Sequence, residues 1–273
     1  MTIYDKMMHE PVAPNVLIDS EPVPPYINAR PWTIRLMVYE DLFIPRRLAS
    51  SGTGFVASQD WVITAAHVLE PGDSVRRTAM FLYEDTADTA GRVSDGGFWF
   101  DEIVLGDGDV AALHVRQDFR DRLRDRVAPV DWRYNPADNL NAVTAHIGFV
   151  EQTPRLAMAT VRTQSIEAAT QPGVTGNHVI GRSILGRTRP GDSGGPVLAH
   201  IPGIPELRVV GVIRGGLERP LPGPFRGARE LWTPLNQELV LRLRITQRPF
   251  EVTLAAPRNG TIASCSYRVA RDS

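Results

Sequence analysis

The stretch Arg189-Pro190-Gly191-Asp192-Ser193-Gly194-Gly195-Pro196-Val197-Leu198 sets a serine between glycines, after an acid and ahead of a proline. A serine hydroxyl is a poor nucleophile at neutral pH. It needs a base to take its proton, a third group to orient that base, and donors aimed at the oxyanion that develops. Among the six histidines, His67 has the setting for a base, because an apolar run, Trp61 to Thr64, leads into Ala65 and Ala66 and leaves room around the imidazole. His9 lies in a polar N-terminal stretch, and His114, His146, His178 and His200 have no comparable surroundings. Asp109 precedes the apolar run Val110 to Val115 and can be drawn inward, and Asp107, two residues earlier, could substitute for it. Taken singly, each has a plainer reading: a core histidine, a turn or capping aspartate, a glycine-rich turn.

The elements around these residues are mostly strands. Residues 1–30 are polar and proline-rich and read as an extended arm. Apolar or alternating runs then recur, bounded by glycine, proline and aspartate: residues 31–40, 53–67, 78–84, 98–105 and 109–115. A second series covers residues 141–151, 155–163, 178–185, 195–201 and 207–216. This rhythm belongs to an antiparallel sandwich or barrel. The charged, irregular stretch 115–139 reads as a linker, so two β units joined near residues 120–140 are expected. Residues 233–244 read as a helix capped by Thr233, with Pro234 in its first turn and Leu235, Leu239, Val240 and Leu243 on one face. Phe250, Val252 and Leu254 alternate ahead of Asn259-Gly260, which predicts a hairpin in residues 246–273.

Composition narrows the function classes. The chain has 273 residues, 42% hydrophobic and 22% charged, with 23 glycines and 22 prolines, which favours turns over long helices. A net charge of −1 without a basic block argues against nucleic acid as a partner. The single cysteine, Cys265, excludes an internal disulfide, so a reducing, cytoplasmic setting is expected. Cys265 reads as buried filler. No segment approaches the roughly 18 apolar residues of a membrane span, and no basic-then-apolar leader opens the chain.

The order His67, Asp109, Ser193 resembles the trypsin/chymotrypsin family of serine peptidases. Residues 52–69 look like its histidine motif, residues 109–115 like its aspartate motif, residues 191–198 like its serine motif and residues 29–38 like its first strand. The likeness covers residues 31–245, and the missing disulfides make it similar to cysteine-poor bacterial members. The order also excludes an α/β-hydrolase, which runs serine, acid, histidine; the only later histidine, His200, lies seven residues after Ser193 in the same strand region.

The resemblance implies an all-β fold of two six-stranded antiparallel barrels, residues 31–130 and 131–245, with a C-terminal helix and the extra hairpin of 246–273. It implies that Ser193 attacks, His67 is the base, Asp109 orients it, and the N–H groups of Gly191 and Ser193 form the oxyanion hole. It further implies a pocket lined by Arg187, Thr188, Arg214, Gly215 and Gly216. The two arginines there point to an acidic residue before the scissile bond. No activation sequence of the Ile-Val-Gly-Gly type is present, so Asp192 lacks the N-terminal partner that secreted members supply. The expectation is a cytoplasmic serine endopeptidase acting on a protein or peptide substrate, restrained by the arm, the extension, an additional domain or a regulatory partner protein. Neither cofactor nor metal is implied, and neither nucleic acid nor membrane is a partner. The competing classes are an inactive binding module of the same fold and an esterase using the same residues.

Overall fold

The computed structural model describes residues 29, 31–40, 47–69, 77–84, 100–149, 156–168, 176–217 and 229–243. The strands β1 (Thr33–Glu40), β2 (Arg47–Val56), β3 (Trp61–Ala65), β4 (Arg77–Glu84), β5 (Phe100–Gly106) and β6 (Val110–Val115) form one antiparallel sheet, ordered β4-β1-β2-β3-β6-β5. The strands β7 (Val143–Phe149), β8 (Leu156–Ala168), β9 (Asn177–Leu185), β10 (Pro196–Ile201), β11 (Ile204–Leu217) and β12 (Arg229–Pro234) close into a barrel, ordered β10-β11-β12-β9-β8-β7. The C-terminal unit is thus the expected six-stranded barrel. The N-terminal unit differs: among the described residues β4 and β5 are the ends of an open sheet and do not pair with each other.

Burial follows the sequence pattern. All residues of β3 and of β6 are buried, which suits their continuous apolar runs, and they pair from Trp61 with His114 to Ala65 with Val110. In β8 the alternation is period two: Val161 and Thr163 are buried, Arg162 and Gln164 exposed. The apolar core includes residues of both units, from Leu36 and Phe55 to Phe149, Leu198 and Val212.

The stretch read as a linker is ordered and packed. The 3-10 turn Gln117–Leu123 buries Leu123, and Ala128 N–H donates to Val56 O at 2.8 Å. On the other side Val209 N–H donates to Pro129 O and Asp131 N–H to Val209 O, each at 2.9 Å. These three backbone bonds tie the stretch to both units.

The helical reading of 233–244 is displaced. Thr233 and Pro234 end β12 instead of opening a helix; α2 is Gln237–Arg242, and Asn236 caps it by accepting Leu239 N–H at 2.7 Å. Leu235, Leu239 and Leu243 are buried, as the apolar face requires. No helix among the described residues is long and apolar enough to cross a membrane. The arm up to residue 28, the 246–273 hairpin and Cys265 lie outside the described residues.

Candidate active site

The histidine and the aspartate are set by neighbouring ends of β3 and β6. The short helix α1 (Ala66–Leu69) follows β3 directly, and His67 is its second residue. The hairpin between β5 and β6 turns through Gly108 (φ 74°) and Asp109 (φ 72°). A left-handed backbone is tolerated by aspartate, and here it turns the Asp109 side chain back toward α1. Its Oδ1 accepts His67 N–H at 2.9 Å, and its Oδ2 lies 2.7 Å from His67 Nδ1. Ala66 N–H also donates to Asp109 O at 3.1 Å, so the turn and the helix start are tied by main chain and side chain. The Asp109 side chain is 5% exposed and that of His67 46%. Asp107, the alternative acid, is exposed and is not the partner of His67.

The serine loop is wedged between the two units. A Cβ on Gly194 would come 2.1 Å from Thr53 O, and one on Gly195 would come 2.0 Å from Ile147 O. Only glycine fits at either place, which gives Gly194-Gly195 a steric origin. Thr53, wholly buried on β2, fastens the loop: its N–H donates to Ser193 O at 2.8 Å and its hydroxyl to Gly191 O at 2.7 Å. The same hydroxyl accepts Phe149 N–H at 2.8 Å.

Within the loop the amides alternate in use. Asp192 N–H donates to Arg189 O at 3.0 Å and Gly194 N–H to Ile213 O at 2.7 Å. The N–H groups of Gly191 and Ser193 donate to no described residue. Gly191 has φ 97°, a conformation a side chain would strain. The Ser193 hydroxyl donates to the Arg214 carbonyl at 3.1 Å, not to His67.

The pocket residues do not all fall where the sequence put them. Gly215 lies beside the serine, where a Cβ would sit 4.0 Å from Ser193 Oγ, while a Cβ on Gly216 would meet Glu230 Oε2 and Thr188 Oγ1 at 3.4 Å. Arg187 is exposed, whereas Thr188 is buried and bonded to Glu230. The Arg214 side chain is 12% exposed and places Nε 3.4 Å from Asp109 Oδ2. The register of β11 against β12 shifts between Ile213 and Gly215, and this irregularity re-aims Arg214 out of simple alternation.

Three neighbours of the site carried no signal in the sequence. His178 on β9 accepts from Arg214 Nη1, and Thr233 on β12 bonds to His178 and to Gly108 O. Glu230 is wholly buried and accepts from Ser183 Oγ at 2.6 Å, from Thr188 N–H at 3.1 Å and from the Thr188 hydroxyl. Burial pushes the Asp192 carboxyl up to about 7; the Arg189 amide and charge pull it down, while nearby Glu230 adds to the rise. Among the described residues, no group of three histidine, cysteine, aspartate or glutamate side chains stands close enough to hold a metal ion.

The family model described as "Trypsin-like peptidase domain" matches residues 52–203, a span that holds His67, Asp109 and Ser193. The chain belongs to this trypsin-like peptidase family. No curated protein matches it in sequence. Among solved structures, the active form of Rv3671c protease from M. tuberculosis is similar at 20% identity and TM-score 0.53, over 89% of each chain. Its inactive form is similar at 19% identity and TM-score 0.51, over 80% of this chain and 92% of that one. At these identities the likeness is one of fold.

Proposed function

We propose that the chain is a serine endopeptidase whose nucleophile is Ser193, with His67 as general base and Asp109 as the group that orients it. The observation that carries this reading is the buried Asp109 carboxylate held on His67 Nδ1 at 2.7 Å, linked through Arg214 to a serine loop with two amides that donate to no described residue. In the first step Ser193 Oγ turns from the Arg214 carbonyl to His67 Nε2 and gives up its proton there. The oxygen bonds to the scissile carbonyl carbon, and the carbonyl oxygen takes the negative charge. The N–H groups of Gly191 and Ser193 donate to that oxyanion. Collapse breaks the C–N bond, and His67 passes the proton to the leaving amine. Water then attacks the acyl group by the same route, returning the serine. Asp109 keeps the proton on Nδ1 and stabilises the imidazolium throughout.

The test is direct. An unfolded protein substrate is incubated with the intact chain, with Ser193→Ala and with Asp109→Asn, and new termini are read by mass spectrometry. New termini with the native chain alone support an endopeptidase. Turnover of activated esters without new peptide termini shows an esterase. Neither, with a folded chain, shows a binding module.

A further inference from the structure

Arg214 touches both ends of the proposed catalytic unit. Its carbonyl accepts the Ser193 hydroxyl at 3.1 Å, and its Nε lies 3.4 Å from Asp109 Oδ2. Asp109 needs this neighbour. A buried carboxylate is costly without a positive partner, and the imidazole of a resting general base is neutral.

The guanidinium is held in turn. Arg214 Nη1 donates to His178 Nε2, which can accept only as neutral imidazole with its proton on Nδ1. That Nδ1 lies 3.3 Å from Thr233 Oγ1, whose own proton goes to Gly108 O. Gly108 precedes Asp109 in the turn. The chain of contacts Asp109, Arg214, His178, Thr233, Gly108 therefore closes on itself. Burial, with the Arg214 charge adding to it and Asp109 opposing it, lowers the His178 imidazole below its ordinary value and keeps it neutral.

On the reading of Ser193, His67 and Asp109 given above, we infer that Arg214 is a positioning residue for the His67–Asp109 pair, braced by His178. It has two effects. It fixes Oδ2 so that the carboxylate faces Nδ1 squarely. It also offsets part of the negative charge that the imidazole senses. The charged and titratable groups around the pair are His67 itself on α1, Asp109 and the exposed Asp107 on the β5–β6 turn, His178 on β9 and Arg214 on β11.

The experiment uses the intact chain with three substitutions: Arg214→Gln, which keeps an N–H donor near the Nε position but neither the charge nor the reach to His178, Arg214→Lys, which keeps charge but not the fork, and His178→Asn. The pH dependence of kcat/KM is measured for each on one peptide. In parallel the His67 imidazole is followed by NMR titration in a Ser193→Ala background, which needs no turnover. The Gln variant is expected to move the acid limb, and the NMR titration with it, up by about one pH unit. The Lys variant holds the limb and lowers kcat, and His178→Asn lowers kcat without moving the limb. An unmoved NMR titration in the Gln variant overturns the inference. So does a change confined to selectivity between acidic and neutral peptides, which returns Arg214 to the pocket. If the native chain has no turnover, the endopeptidase reading fails while the NMR titration still decides whether Arg214 acts on the pair.

Discussion

Replacing Asp192 by asparagine separates a buried charge from the loop it sits in. Asp192 is 5% exposed; its Oδ2 accepts Arg189 N–H at 2.8 Å, and its Oδ1 has no hydrogen-bond partner among the described residues. Burial raises its carboxyl from an ordinary 3.8 to about 7. Between those values the folded chain holds a proton that the unfolded chain has released, so stability falls as pH rises. The slope is about 1.4 kcal/mol per pH unit, on the order of 4 kcal/mol over the window. His146 runs the other way. Burial lowers its imidazole from 6.5 to about 3, so the unfolded chain binds the extra proton between those values and stability rises with pH there. The two slopes cancel between about pH 4 and 6.5, where the native chain is expected to show little net change from these groups. Asp192→Asn removes one slope only. The variant's stability then climbs with pH across that range, and its difference from the native chain shifts in favour of asparagine by on the order of 4 kcal/mol between pH 4 and 8. Urea unfolding of both chains at pH 4, 6 and 8, in a Ser193→Ala background to prevent self-cleavage, reads this directly. A difference that stays constant with pH refutes the reasoning, whatever its size.

Three further outcomes are expected. Asp109→Asn leaves the chain folded but lowers kcat about ten-thousand-fold through the wrong imidazole tautomer, measured on a fluorogenic peptide. Thr53→Val removes the hydroxyl that joins Gly191 O to Phe149 N–H, so chemical denaturation is expected to show a loss of about 2 kcal/mol. Glu230 pairs with no cation among the described residues, and a Cβ on Gly216 would sit 3.4 Å from its Oε2. Peptides with Lys or Arg before the scissile bond are therefore expected to be cut faster than those with Asp or Glu, with the ratio narrowed in Glu230→Gln; the reverse ranking gives the pocket to Arg187.

Where the fold and site were readable in the sequence, the signal was local. His67 follows an apolar run, while Asp109 and Ser193 precede one, so strand periodicity and turn chemistry mark them as candidates without knowledge of the sheet. Gly194-Gly195 was legible as a motif, while its cause, the carbonyls of Thr53 and Ile147, was not. What escaped reading depends on neighbours distant in the chain. His178 and Thr233 reach the site because β9 and β12 are adjacent in the barrel, which no spacing reveals. The contact of Arg214 with Asp109 was not legible, because a register shift interrupts β11 beside it. Thr233 looked like a helix cap because a short strand and a short helix abut there, and the cap falls on Asn236 instead. Residues 115–139 looked like a linker because they are charged and irregular, yet Leu123 and Ala128 within them are buried.

The most direct test of the proposed nucleophile is to treat the intact purified chain with a fluorophosphonate and weigh it, beside Ser193→Ala. The expected result is one adduct per chain, mapped to Ser193, absent in the alanine variant and slowed in Asp109→Asn. An adduct that persists in Ser193→Ala, or a folded native chain that takes up none with its arm in place or trimmed away, contradicts it.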